Sequence, residues 1–225
     1  MPYYAIEFNA AGEGIGLHVY QEEPTKYPAN ELPCTEAQAQ TPMLWKNVNG
    51  VLTESLSAVQ SAQIALVTQG YNKATDYVPV TINGTTYQVD NTTAKQALNL
   101  SLAITANAAV QSPAWAADTE YTTGQLCSVG GVILFCSASG KSGTSAPTPP
   151  TTFGTPVTDG TAEWELLGRK VYLQGGSFVY MTPQQIMSAF QQGELYLHQM
   201  SDQLELLKVE IMAATTVTEV QTFTF

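Results

Sequence analysis

The feature that most constrains the fold is a regular run of apolar residues near the end of the chain. Between Ile186 and Ile211 these residues recur at alternating spacings of four and three, which is the a/d pattern of a heptad repeat. One seam position holds Gly193 instead of an apolar residue. The pattern predicts a single long helix, begun by a capping box at Thr182 and Gln185, with a seam formed by Ile186, Phe190, Gly193, Leu197, Met200, Leu204, Leu207 and Ile211.

An apolar seam of this length has to be buried, and two partners are open to it. One is a neighbouring helix of the same chain, and the other is a second chain. The earlier predicted helices are short, so we expect part of the seam to remain for a partner. Gly193 is expected to mark a bend or a close approach of another helix. The predicted partner interface consists of Ile186, Phe190, Leu197, Met200, Leu204, Leu207 and Ile211.

The rest of the chain alternates between strand-like and helical patterns. Short alternating runs on either side of residues 9–14 predict a first hairpin, and the prolines of 22–33 predict an irregular segment. Further hairpins are predicted at dipeptides that supply the positive φ of tight turns, which are Asn49-Gly50, Asn83-Gly84, Gly130-Gly131 and Gly175-Gly176.

Apolar residues at 3–4 spacing predict helices over 53–72, ending at Gly70, and over 92–111. The final residues, 215–225, alternate like a strand. We therefore predict an α+β fold with a small N-terminal β unit, a helical domain with β-hairpins and an inserted small β module. Its four parts are the β unit (1–52), a helix–hairpin–helix segment (53–111), the inserted module (112–169), and a hairpin with the heptad helix that completes the helical domain (170–225).

The charge balance narrows the classes of partner. The 225 residues include 19 acidic and 8 basic side chains, for a formal net charge of −11. Nucleic acid and anionic membrane surfaces are bound through clustered lysines and arginines, so neither is an expected partner. No segment has the length and apolarity of a membrane-spanning helix, and the first residues lack the pattern of a signal peptide. We expect a protein that is made in a cytoplasm and does not insert into membranes.

The sequence shows no pattern typical of catalysis or metal binding. The two histidines, His18 and His198, have no cysteine or carboxylate at ligand spacing. Cys127 and Cys136 are diagonal neighbours on one face of a predicted hairpin, too far apart for an unstrained disulfide, so free thiols are expected. We predict no catalytic residue, no metal site and no cofactor, and therefore a protein that is not an enzyme.

Aromatic residues frame the inserted module. Its middle is rich in Gly, Ser, Thr and Pro, while Trp115 and Trp164 stand near its two ends. Aromatic faces bind sugars by covering the C–H groups of the ring, while short polar side chains meet the hydroxyls. A module of this size also needs large apolar side chains for its core. Both roles are open to the candidate saccharide-binding residues Trp115, Tyr121, Phe135 and Trp164.

The motifs of this module resemble those of a module common in bacteriophage tail proteins. Trp115 is followed by Tyr121-x-x-Gly124, a hairpin, a Ser/Gly/Pro-rich loop, the turn Asp159-Gly160-Thr161 and Trp164. This layout is similar to that of small chitin- and cellulose-binding modules. The resemblance implies a small β fold and a role in binding a saccharide.

Two further stretches are similar to phage sequences. Residues 27–52 resemble the N-terminal region of tail-fibre assembly proteins, and residues 178–223 resemble a C-terminal helical domain of proteins encoded beside tail fibres. Together the resemblances imply a tail-fibre-associated virion protein, made in the host cytoplasm, that acts as an assembly chaperone or a tip-associated subunit in host attachment. The implied partners are the tail-fibre protein or other tail subunits, with a homo-oligomer and a host-surface glycan left open. The alternative is a purely structural tail or baseplate component without saccharide binding.

Overall fold

The computed structural model describes residues 2–225 and confirms the α+β class. Helices and strands alternate along the chain, and the strands form several small sheets rather than one large one. The chain divides into two compact units. The first contains the chain up to Asn72 together with Ser201–Phe225, and the second contains Lys73–Met200. The predicted inserted module lies within the second unit.

The first unit begins with a three-stranded antiparallel sheet in the order β2-β1-β3. Its strands are β1 (Tyr3–Phe8), β2 (Gly14–Tyr20) and β3 (Glu31–Cys34). The predicted first hairpin is confirmed by the pairing of β1 with β2. The prediction that 22–33 is irregular is wrong at its end, because β3 pairs with β1 and includes Pro33. Proline is tolerated there because β3 is an edge strand, whose outer side needs no backbone donor.

A short helix and a second hairpin follow. These elements are α1 (Glu36–Ala39), a 3₁₀ turn (Pro42–Leu44), β4 (Trp45–Val48) and β5 (Val51–Glu54). Asn49 and Gly50 have φ angles of 53° and 82°, so the predicted tight turn between these strands is confirmed.

Two predicted boundaries in the first unit are wrong. Helix α2 (Leu56–Thr75) continues through Gly70, where a Cβ atom would lie 3.0 Å from Phe225 Cβ. The glycine therefore permits close packing of the chain end and does not end the helix. The last residues contain a helix, α5 (Val217–Val220), and no strand. Its start is stabilised by Thr216, whose side chain accepts the backbone N–H of residue 219.

Apart from the inserted module, the second unit contains two hairpins, one whole helix and part of a second helix. These are β6 (Tyr77–Ile82) with β7 (Thr85–Asp90), α3 (Thr93–Val110), β14 (Arg169–Tyr172) with β15 (Phe178–Met181), and α4 (Pro183–Ala213), which extends beyond the unit. The predicted helices and hairpins are confirmed here. So is the capping box, since Gln185 N–H donates to Thr182 Oγ1 and Thr182 N–H donates to Gln185 Oε1.

The module within the second unit is a small β fold. It consists of β8 (Glu120–Tyr121), β9 (Leu126–Val129), β10 (Val132–Ala138), β11 (Gly140–Lys141), β12 (Val157–Asp159) and β13 (Ala162–Leu166). Four strands form a sheet in the order β12-β13-β10-β9, and β11 pairs with β8. Ile133 and Leu167 of the module form an apolar cluster with Ala109 of α3. The module is therefore joined to the rest of the second unit by an apolar contact as well as by the chain at its two ends. Separable folding of residues 112–169 stays a prediction.

Candidate functional site

The structure places two of the four predicted saccharide-binding residues in the core of the module. Trp164 is 0% exposed and Tyr121 is 9% exposed. Their rings meet edge to face with centroids 4.7 Å apart. A ring without an exposed face cannot stack on a sugar, so the prediction of a saccharide platform is wrong for both residues. Trp115 is half-buried and packs against the same core.

A buried carboxylate fixes both tryptophans. Trp115 Nε1–H donates to Asp159 Oδ2 over 2.7 Å, and Trp164 Nε1–H donates to the same oxygen over 3.0 Å. The other oxygen, Oδ1, accepts the backbone N–H of Gly143 over 2.8 Å. Asp159 therefore ties both ends of the module to its long loop. Its place before Gly160 indicates only a turn residue, and this second role has no signal in the local sequence.

Phe135 lies on the opposite side of the sheet from the tryptophans. It packs with Leu126 beside the buried residues Ile133 and Leu167 and beside Ala109 of α3. Its half-buried ring therefore contributes to the contact between the module and the helix. A saccharide contact of Phe135 stays a prediction.

Exposed aromatic rings are found instead on the hairpin that follows the module. Phe178 is 48% exposed and Tyr180 is 44% exposed. Their centroids are 5.8 Å apart, and the half-buried Phe153 ring lies 5.6 Å from that of Tyr180. Tyr172, directly opposite Phe178 in the strand register, completes the group. We call these four residues, Phe153, Tyr172, Phe178 and Tyr180, the aromatic surface.

The alternation of the two strands produces this surface. Successive side chains of a strand point to opposite faces, and Val171 and Met181 are buried in the core of the second unit. The alternate positions, which include Phe178 and Tyr180, are thereby turned away from that core. The sequence contains this signal in KVYLQ and SFVYM, where Lys170 and Tyr172 on one strand and Phe178 and Tyr180 on the other occupy the alternate positions.

Phe153 reaches the aromatic surface from the long loop of the module. A Cβ atom at position 168 would lie 2.4 Å from Phe153 Cε1, so any larger residue there would force the ring to move. The Phe153 ring therefore packs against the backbone at Gly168. The Gly/Ser/Thr/Pro-rich loop therefore positions the Phe153 ring next to Tyr180 of the following hairpin.

Two lysines lie over rings of the aromatic surface. Lys95 Nζ is 3.9 Å from the centroid of Tyr172, and Lys170 Nζ is 4.3 Å from that of Phe178. Lys170 Nζ is also 5.9 Å from the centroid of Tyr180. Such cation–π contacts are stabilised by the negative face of the ring. The surface therefore combines exposed aromatic carbon with positive charge.

The seam of the heptad helix packs largely on the chain itself. Ile186 is buried in the core of the second unit, and Leu204 and Ile211 are buried in the core of the first unit with residues of α2. The prediction of a partner interface is wrong for these three, because their side chains present no surface to another chain. Met200 and Leu207 are half-buried.

The other two predicted interface residues, Phe190 and Leu197, line a cavity of about 320 Å³ in the second unit. Gly193 stands between them in the seam and lines the cavity as well. A Cβ atom on this glycine would be 3.4 Å from Val78 Cγ1 of β6. This is an ordinary van der Waals distance to a strand residue, so the predicted close approach of a helix at Gly193 is not observed, and the absent side chain leaves part of this space open.

Polar side chains of the β2-β1-β3 sheet form a hydrogen-bonded network that the sequence does not predict. His18 Nδ1 donates to Glu31 Oε1 and Tyr20 Oη donates to Glu31 Oε2, each over 2.6 Å. Glu7 Oε2 lies 3.7 Å from His18 Nε2. The hydrogen bond to Glu31, with burial, raises the pKa of Tyr20 to about 12. Over residues 2–225, no group of three or more His, Cys, Asp or Glu residues is placed to hold a metal ion.

The cysteines of the module behave as predicted. Cys127 lies opposite Leu134, and both Cys127 and Cys136 are buried, free thiols. Burial, with smaller effects of Asp159 and Cys136, raises the pKa of Cys127 to about 12. Because the thiolate is the reactive form, Cys127 is a poor nucleophile at neutral pH.

Comparisons with protein-family models, with curated proteins and with solved structures found no match to this chain. Within residues 2–225, none of the helices combines the length and apolarity that crossing a membrane requires. The description of the candidate site therefore depends on the chain's own geometry, and its centre is the aromatic surface.

Proposed function

We propose that this chain is a bacteriophage tail-fibre-associated protein that contributes to host attachment by binding a cell-surface saccharide on its aromatic surface. The observation that carries the proposal is the pair of exposed rings Phe178 and Tyr180, flanked by Phe153 and Tyr172. Exposed rings of this kind can cover the C–H face of a sugar. The resemblance of three stretches of the chain to phage tail sequences supports the biological setting.

In this proposal the protein is a binding protein and not an enzyme. It acts as an assembly chaperone or a tip-associated subunit, with the tail-fibre protein or another tail subunit as its protein partner. Support for a protein partner comes from exposed apolar residues on α4, which are Leu206, Val209 and Met212. Residues three apart share a helix face, and exposed apolar patches are typical of interaction sites.

Saccharide binding is tested on a glycan array that displays neutral and acidic bacterial surface glycans. The wild type should bind, and the double variant Phe178→Ala/Tyr180→Ala should lose binding while keeping its thermal unfolding curve. Tyr3→Ala is the matched control, because Tyr3 is an exposed aromatic residue in the first unit. A wild type that binds no glycan, or a double variant that binds like the control, would contradict the proposal.

The tail setting is tested by the protein inventory of purified virions and by co-purification with the tail-fibre protein. Presence in the virion indicates a tip-associated subunit, whereas co-purification without presence in the virion indicates a chaperone. Virion presence without glycan binding would favour the alternative, a purely structural tail or baseplate component. Absence from both would contradict the tail assignment.

A further inference from the structure

The two lysines that lie over the aromatic surface have no carboxylate partner. Throughout residues 2–225, neither Lys95 nor Lys170 has a carboxylate oxygen within the 4.0 Å of an ion pair, whereas Lys141 is paired with Asp118. The chain has only 8 basic residues and a net charge of −11. Two unpaired ammonium groups next to one group of rings concentrate positive charge locally in an otherwise acidic chain.

The two ammonium groups are held next to the rings on which a sugar would stack. Lys170 Nζ is 4.3 Å from the centroid of Phe178 and 5.9 Å from that of Tyr180, and Lys95 Nζ is 3.9 Å from the centroid of Tyr172. A sugar that covers the ring face under an ammonium group displaces that group sideways. The flexible four-carbon stem of lysine allows this movement, and the charge then lies beside the substituents of the sugar.

Resting on the proposed function, we infer that the ligand of the aromatic surface is an acidic saccharide, one whose ring carries a carboxylate. A carboxylate meets an unpaired ammonium group in a charge-assisted hydrogen bond, which is stronger than the bond a neutral hydroxyl makes. A neutral sugar would displace the same cations from the rings and give them no anion in return.

Single-stranded nucleic acid also combines negative charge with groups that stack on aromatic rings. The observations favour the saccharide. Binding along a phosphate backbone requires an extended row of cations, and Lys95 and Lys170 offer two. The net charge of −11 also repels a long polyanion before it reaches this surface.

The test uses the full chain and a matched pair of probes, trigalacturonate and its methyl ester, in which each carboxylate is replaced by a neutral methyl ester on the same sugar backbone. Isothermal titration should show about tenfold tighter binding of the acid, the difference expected from one good charge-assisted contact. Lys95→Gln/Lys170→Gln should remove this preference, so that the acid and the ester bind with equal affinity. Lys141→Gln, which removes a lysine paired elsewhere in the same unit, should keep the preference.

Equal affinity of the wild type for acid and ester would overturn the inference while leaving saccharide binding in place. No binding of either probe, together with an empty glycan array, would overturn the proposed function as well. Tighter binding of an oligodeoxythymidylate than of trigalacturonate would assign the surface to nucleic acid and also overturn the inference. A double lysine variant that retains the tenfold preference would show that these two ammonium groups do not provide it.

Discussion

The buried carboxylate of Asp159 provides the sharpest test of the claim that the tryptophans are structural. Its two oxygens accept three hydrogen bonds, two from indole N–H groups and one from a backbone N–H. In Asp159→Asn only one of the two terminal atoms can accept. If the amide oxygen faces the indoles, its NH₂ group meets the N–H of Gly143, and the reverse orientation loses both indoles. Hydrogen bonds to charged groups contribute about 1.5–3 kcal/mol each, so we expect a loss of about 2–4 kcal/mol.

The loss is measured by urea unfolding followed by tryptophan fluorescence, in a Trp45→Phe background so that only the module reports. The matched control is Asp118→Asn, in the same module, because Asp118 is exposed and its ion pair with Lys141 lies at the surface. Exposed pairs of this kind contribute up to about 1 kcal/mol, so the control should change stability little. A loss for Asp159→Asn no greater than that of the control would refute the role assigned to this carboxylate.

Three further predictions concern the core, the helices and the pH dependence. Trp164→Ala should lower the free energy of unfolding by about 3–5 kcal/mol and Phe178→Ala by less than about 1 kcal/mol, and equal losses in urea would contradict the assignment of core and surface. Gly193→Ala should raise the free energy of unfolding by about 0.5–1 kcal/mol, because alanine is the better helix former and its Cβ would lie 3.4 Å from the nearest atom. The same change at Gly70 should give no gain, because its Cβ would lie only 3.0 Å from Phe225. A lower Tm for Gly193→Ala would show that position 193 has no room for a side chain. The phenol of Tyr20 should titrate near pH 12, measured as the difference in 295 nm absorbance between wild type and Tyr20→Phe, so its contribution to stability is present below pH 10 and is lost as the pH rises through 12. A midpoint at 10 in this difference would mean that the hydrogen bond of Tyr20 is absent.

Local patterns predict the elements of this fold well. Glycine-containing dipeptides place the turns, the 3–4 spacing places the helices, and the capping box at Thr182 places the start of α4. Boundaries fail where distant packing decides the outcome. Gly70 stays in a helix because Phe225 packs against it, and Pro33 enters a strand because β3 lies at a sheet edge. Neither contact is visible in a local window of sequence.

The candidate site could be predicted only in part, because a sequence lists aromatic residues without their exposure. Trp164 and Phe178 are equally plausible as platforms from composition, and the deciding fact is which side of a sheet each one faces. Strand alternation contains that information for Phe178 and Tyr180. The partnership of Asp159 with two indoles, and the seat of Phe153 beside Gly168, arise from loop geometry. Such contacts leave no periodic pattern.

In the proposed function the aromatic surface contacts the saccharide, and the tryptophans of the module do not. The most direct measurement is protein-observed NMR during a titration with trigalacturonate, with assigned ring signals of Phe178 and Tyr180 and the indole N–H signals of Trp115 and Trp164. We expect saturable shifts of the signals of the two exposed rings, while the indole N–H signals stay in place because both groups donate to the buried Asp159. Saturable shifts of the indole signals, with the rings of Phe178 and Tyr180 unmoved, would contradict this proposal.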